Sequence, residues 1–325
     1  MYTFKEVLSI VNTEIEEINW KRVPTGLYEP IEYILSMGGK RLRPAIALMS
    51  YNLYADDIMS AVKPALGLEV FHNFTLLHDD IMDHADMRRG KPTVHKKWDD
   101  NTAILSGDVM QIEAFKLIAG TPVEHLKVVL DLFSKTATEI CEGQQLDMEF
   151  ESREDVTVEE YLEMVRLKTA VLLATGAQIG AILGGSSDSD AEFLYQFGNS
   201  IGLAFQLKDD LLDVYGNERN FGKKIGGDIL CNKKTYLLTN ALKTAQGKDA
   251  EELTFWLDNK NEEQNDEKIA AVTAIYDRLG VLDICEDKMD FYYRDALENL
   301  KKVNVSEDKK SELRKLAEKL MSRND

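Results

Sequence analysis

No proline follows Pro122 in this chain of 325 residues; the others are Pro24, Pro30, Pro44, Pro64 and Pro92. Proline removes a backbone donor and clashes with the preceding turn. A long proline-free region with apolar residues at 3.6-residue spacing therefore predicts helix after helix. Periodic stretches at 1–20, 27–36, 44–54, 60–78, 103–117, 123–150, 158–184 and 190–215 read as helices, and amphipathic peripheral helices follow. Residues 262–268 read as an exposed connection. Length alone permits about two domains. With no Pro/Gly/Ser-rich linker and no short repeat, the expectation is one all-α domain over residues 1–325 with an ample core.

The net charge of −18 argues against a nucleic-acid partner. Cys141, Cys231 and Cys285 form no CxxC and are odd in number, which fits reduced thiols in a cytoplasmic protein. The first twenty residues lack the basic start and unbroken apolar core of a signal peptide. Residues 169–187 carry no charge and approach membrane-span length. They also hold Gln178, Gly176, Gly180, Gly184 and Gly185, so they read as a buried core helix whose small residues allow close packing, without stable membrane insertion.

Residues 71–83 read FHNFTLLHDDIMD. Phe74, Leu77 and Ile81 form an apolar stripe, and Asp79 and Asp83 stand one above the other on another face, with Thr75 and His72 continuing that face. Stacked carboxylates repel by about 0.2–0.5 kcal/mol on an exposed helix, and more when buried. A cation with oxygen ligands removes that repulsion, and Mg²⁺ held by few carboxylates usually brings phosphate with it. A single such pair on a solvated face carries no information. A second copy does: residues 205–213 read FQLKDDLLD, placing Asp209, Asp210 and Asp213 at the same spacing in an equally apolar setting. The two copies are expected to face each other across one cavity.

Cations are concentrated elsewhere. Lys40, Arg41 and Arg43 follow Gly38-Gly39, where glycine lets backbone N–H groups approach an anion and arginine grips phosphate with two prongs. Arg88 and Arg89 lie in a loop just beyond the first aspartates. Lys168-Thr169 precedes the uncharged run, and the lysine can either snorkel to solvent or face the cavity. Lys223, Lys224, Lys233 and Lys234 lie in a glycine-bearing stretch after the second aspartates. Two acidic and several basic clusters point to two diphosphate pockets, one bridged by metal and the other held by cations alone.

The ordered set GGKRLRP, LLHDDIMD, RRGKPTVH, KTA, GLAFQLKDDLLD and GKKIGGD…NKKT resembles the trans-isoprenyl diphosphate synthases over nearly the whole chain. The resemblance implies a bundle of long helices around a central cavity, the isoprenoid synthase fold. It implies head-to-tail condensation of isopentenyl diphosphate with an allylic diphosphate, with about three Mg²⁺ ions per active site once substrate is bound. Asp79, Asp83 and Asp209 are then the metal ligands, supported directly or through water by Asp80, Asp210 and Asp213. Arg88, Lys168, Lys223 or Lys224, and Lys233 hold the allylic diphosphate. Lys40, Arg43, His72 and Arg89 hold isopentenyl diphosphate, and Thr169 and Gln206 flank the nascent cation. A homodimer is implied, with residues 105–118 and 124–148 as its interface.

Product length is read from the helix preceding Asp79, where Thr75, Phe74 and Phe71 form the floor. In the family, paired aromatics at the first two positions mark farnesyl (C15) synthases. A single aromatic five residues upstream, without an insertion in the motif, resembles geranylgeranyl (C20) synthases, which Phe74 with Thr75 fits, so C20 is the expected main product and C15 the runner-up. Three rival readings are weaker. A phosphohydrolase of the HD type would use His72, His78 and Asp79 but leaves the second motif unexplained. A class I terpene cyclase would carry an Asn/Ser/Glu triad in place of Asp209–Asp213. A non-catalytic partner subunit would have lost aspartates or arginines that this chain keeps.

Overall fold

A computed structural model describes residues 1–216 and 225–322. Among these residues, sheet is confined to two strands of two residues each, β1 (Met87–Arg88) paired antiparallel with β2 (Lys91–Pro92). The first helices are α1 (Phe4–Glu17), α2 (Thr25–Ser36), α3 (Leu42–Tyr51), α4 (Met59–Met82), α5 (Val94–Lys97), α6 (Asp100–Ile118) and α7 (Val123–Ser152). Then come α8 (Val158–Val165), α9 (Val171–Gly184), α10 (Asp188–Tyr215), α11 (Gly227–Leu230) and α12 (Tyr236–Thr244). The last are α13 (Lys248–Asp258), α14 (Asn265–Leu279), α15 (Val281–Lys302) and α16 (Glu307–Met321).

The chain forms two compact units. One comprises Met1–Ala137, Leu172–Gly198 and Asn299–Leu316; the other comprises the described residues of Thr138–Val171, Asn199–Glu298 and Ala317–Asp325. In the first unit, α1 opens with a reciprocal cap in which Thr3 and Glu6 each bind the other's backbone N–H. Pro30 and Pro64 sit inside α2 and α4, because both helices begin several residues upstream of them. The uncharged stretch of α9 packs on α3 so tightly that a β-carbon on Gly180 would lie 1.9 Å from the carbonyl oxygen of Ala47. The helical stretch Val158–Gly184 has the length and apolarity of a membrane span, but 67% of its most apolar window is buried inside the protein.

The second unit packs Phe150, Tyr161, Leu207, Tyr236, Tyr276 and Cys285 into one apolar cluster. The helix anticipated over 158–184 is present as one continuous stretch, with a π-helical turn at Arg166–Ala170 between α8 and α9. One expectation is corrected here. The connection anticipated at 262–268 is only a 3₁₀ turn, Glu262–Gln264. Lys268 already belongs to α14 and is buried, its Nζ 2.7 Å from Asn232 Oδ1.

Candidate active site

The C-terminal end of α4 carries the first aspartates. Asp79 is half-buried, Asp83 is exposed and closes the helix through a 2.8 Å bond from its N–H to the Asp79 carbonyl, and Asp80 turns inward. The β1–β2 hairpin turns through Arg89 and Gly90, both at positive φ (51° and 73°), the conformation a two-residue hairpin turn requires. It delivers Arg88 onto Asp80, with Nε 2.9 Å from both carboxylate oxygens, Nη2 2.7 Å from Oδ1, and Asp79 Oδ2 3.6 Å away. Burial pushes the Asp80 carboxyl up, partly offset by Arg88. Asp80 is thus the inner anchor of an arginine rather than a carboxylate on the Asp79–Asp83 face.

Of the three cations after Gly39, Arg41 does not face an anion site. Its backbone is left-handed (φ 48°) and its side chain is 3% exposed, bonded to Glu69 Oε1 and the Leu35 carbonyl, both at 2.7 Å. Glu69 also accepts from Asn73 Nδ2 at 3.0 Å. Lys40 is exposed on the turn before α3. Arg89 donates to the Gly38 carbonyl, and a β-carbon on Gly39 would come within 2.8 Å of the Arg89 guanidinium. Burial, with Arg89 nearby, pushes the Arg43 guanidinium down to about 10 against the pull of Glu69. Burial and the charges of Arg43, Arg89, Arg88 and Arg41 hold the His72 imidazole well below its usual pKa, hence neutral. Arg43, His72 and Arg89 are therefore gathered in one cationic neighbourhood beside Arg88.

In the second unit the π turn presents Lys168 and Thr169 to a small cleft of about 70 Å³, which Gln206, Asp210, Asp228, Lys233 and Asp147 also line. Lys168 Nζ lies 2.6 Å from Asp147 Oδ2, and Lys233 Nζ lies 3.9 Å from the same oxygen. Burial would push the Asp147 carboxyl up, but Lys233 and Lys168 outweigh it and hold it down. On α10, Asp209 is half-buried, whereas Asp210 is 3% exposed and accepts from the Tyr161 hydroxyl, Tyr236 N–H (3.1 Å) and Gln206 Nε2 (3.2 Å). Burial, then the Asp228 charge, pushes Asp210 up to about 7. Asp213 accepts the Asp228 N–H at 3.0 Å. Lys223 and Lys224 lie outside the described residues.

Asp228 and Tyr161 carry no signal in the sequence, and Asp147 stands out there only as a polar residue within its long helix. Asp147 is one acid on a mostly polar helix, and Asp228 differs from other loop acids only by following Gly226-Gly227. At the floor positions, Phe71 is fully buried with its ring centroid 5.2 Å from Phe74 and 5.1 Å from Phe133; Phe133 in turn lies 4.8 Å from Phe115. Phe74 also meets His78 edge-on at 4.8 Å, and the half-buried Thr75 donates its hydroxyl to the His72 carbonyl.

Among the described residues no three carboxylate, histidine or cysteine side chains converge into a ready-made metal cage. The donors are hard carboxylate oxygens, and Mg²⁺ is held by one or two of these with water and substrate phosphate completing its shell. The Asp79 and Asp83 pair at the end of α4 offers such oxygens, and so, separately, does Asp209 on α10.

The polyprenyl synthetase family model matches residues 24–275. The chain belongs to that family. It is 41% identical over 294 residues to a geranylgeranyl diphosphate synthase of Methanosarcina mazei, covering 90% of this chain and 88% of that one. It is 42% identical over 296 residues to a geranylfarnesyl diphosphate synthase of Natronomonas pharaonis, covering 86% and 84%. A crystal structure of a geranylgeranyl pyrophosphate synthase superposes with a TM-score of 0.94 at 44% identity over 100% of both chains. The fold is the all-α isoprenoid synthase fold, and the chain is a prenyltransferase that makes short-chain prenyl diphosphates.

Proposed function

We propose that this prenyltransferase joins isopentenyl diphosphate head to tail to an allylic diphosphate with Mg²⁺, giving mainly geranylgeranyl diphosphate (C20). The observation that carries the reading is the gathering of Arg43, His72 and Arg89 beside Arg88, which itself lies 3.6 Å from Asp79: a cationic cluster next to a carboxylate-bearing helix end. Asp79, Asp83 and Asp209 would hold Mg²⁺, which supplies positive charge to the departing diphosphate when bound. Arg88, Lys168 and Lys233, with Lys223 or Lys224, bind the allylic diphosphate and neutralise its charge as it leaves. Lys40, Arg43, Arg89 and neutral His72 hold isopentenyl diphosphate so that its double bond attacks the allylic carbon. Thr169 and Gln206 turn oxygens toward the cation, and apolar walls keep water from trapping it. The released diphosphate is the base that takes the proton.

The 42% identity to a geranylfarnesyl synthase favours a C25 product as the second reading. Incubation with labelled isopentenyl and farnesyl diphosphates plus Mg²⁺, followed by chromatography of dephosphorylated products, decides between them. Asp79→Ala and Asp209→Ala should each lower turnover by about a hundredfold or more with the fold intact. Near-normal turnover in either at limiting Mg²⁺ would sink the two-cluster mechanism.

The enzyme is further proposed to be a cytoplasmic homodimer. Leu105 and Ile112 on α6 are 57% and 55% exposed, and Ile112, Phe115 and Leu130 line an open apolar groove. Sedimentation at micromolar protein showing only a 36.8 kDa species would rule the dimer out.

A further inference from the structure

We propose that Tyr161 and Asp210 are positioning residues that fix the Gln206 amide with its oxygen toward the cleft, and that Asp210 is not a metal ligand. The inference rests on the reading that Gln206 flanks the nascent cation. Asp210 is held from three helices at once: the Tyr161 hydroxyl on α8 and the Tyr236 N–H, at the first turn of α12, both donate to Oδ2, and Gln206 Nε2 donates to Oδ1. A carboxylate so surrounded has its oxygens committed to protein donors, and the N-terminus of α12 adds a favourable dipole. Asp209, about 100° away around α10, is left as the more exposed carboxylate of the pair.

Gln206 and Asp210 are one turn apart on the same helix, so backbone geometry maintains their contact. The two ends of an amide are chemically opposite. With Nε2 fixed on Asp210, Oε1 faces the other way, and Gln206 lines the cleft with Lys168 and Thr169. An oxygen presented to a developing carbocation lowers its energy; a flipped amide would present N–H groups and raise it. Three donors surround Asp210 and favour its ionised form, which only accepts hydrogen bonds and so determines that sign. Tyr161 in turn keeps Asp210 from rotating, being itself 2% exposed within the core.

The test is a double-mutant cycle on the full chain, reading kcat, KM for the allylic substrate, half-saturating Mg²⁺ and the thermal midpoint. Asp210→Asn should lower kcat about ten- to a hundredfold and Tyr161→Phe about three- to tenfold, with KM and half-saturating Mg²⁺ within about twofold of the parent. In a Gln206→Ala background neither substitution should lower kcat further. If Asp210→Asn does not fold, Tyr161→Phe completes the same cycle. A Gln206→Ala enzyme that is slowed while the second substitution still takes its full toll overturns the positioning role, as does a shift in half-saturating Mg²⁺ with Asp210→Asn. A Gln206→Ala enzyme that turns over normally overturns the cation-flanking reading itself and this inference with it.

Discussion

A β-carbon at position 143 would lie 2.3 Å from the amide nitrogen of Lys168. Gly143 lets α7 run directly against the π turn Arg166–Ala170, and such turns recur at functional sites because they re-aim side chains that an α-helix would hide. One turn further along α7, Asp147 takes the Lys168 ammonium at 2.6 Å. The same helix thus admits the backbone of the turn and receives its side chain.

Gly143→Ala should therefore displace the turn. The atoms in the way are backbone, at 2.3 Å and 2.8 Å, which no rotamer change relieves. Overpacking of this kind costs about 1–3 kcal/mol, and kcat should fall at least about tenfold as Lys168 and Thr169 move. Gly26→Ala, where nothing lies within 4 Å of the added carbon, is the matched control and should leave both unchanged or gain slightly. Equal kcat in the two variants would mean that the π turn does not depend on Gly143.

Arg41 and Arg43 are two residues apart and should behave oppositely. Arg41→Ala strands Glu69, which is 2% exposed, and removing one partner of a buried pair destabilises by about 3–5 kcal/mol. Arg43→Ala should leave the thermal midpoint nearly in place and raise KM for isopentenyl diphosphate about ten- to a hundredfold. Thermal melts and substrate saturation curves on both variants separate the roles. Matching losses of stability would show that Arg43 is structural too.

Much of the architecture was legible because it rests on local rules. Apolar spacing marked the long helices, and the small residues of 176–184 announced the close crossing of α3 seen at Gly180. What stayed hidden depends on residues far apart in sequence. Arg41 and Arg43 carry the same head group, and only the left-handed backbone at Arg41 aims it at Glu69, 28 residues away. Asp79 and Asp80, or Asp209 and Asp210, differ in sequence only by one position on a helix. Their burial is decided by Arg88 and by Tyr161, neither of which the aspartate spacing mentions. The π turn leaves no mark in periodicity, and the glycine it packs against lies on another helix.

The buried His72 imidazole gives a pH signature. Its folded pKa lies well below the unfolded value, through burial and four neighbouring arginines. The neutral ring therefore contributes stability that is fully present above the unfolded pKa of about 6.5 and is lost as pH falls below it toward the folded value. His72→Gln should flatten that part of the stability–pH curve. In the parent protein the ring should remain neutral by NMR at pH 6, and inorganic diphosphate should raise its pKa by adding negative charge to the arginine cluster. A ring already protonated at pH 6 in the free protein would contradict the cluster's influence.

Product length should depend on residues behind the floor as well as on the floor itself. Phe71 is fully buried, with Phe74 on one side and Phe133 of α7 on the other. A chain growing down α4 from Asp79 meets Thr75 one turn below and Phe71 two turns below, about 5.4 Å per turn. Phe71 can yield only if Phe133 leaves room. Phe133→Leu should therefore lengthen the product distribution beyond C20, and Phe133→Ala more so, at about 3–5 kcal/mol of stability. Phe74→Ala should also lengthen it, because Phe74 packs against the same ring. Thr75→Phe places an aromatic directly below Asp79 and should shorten the product toward C15. Chromatography of dephosphorylated products reads all four variants, and an unchanged distribution in every one would remove this aromatic set from length control.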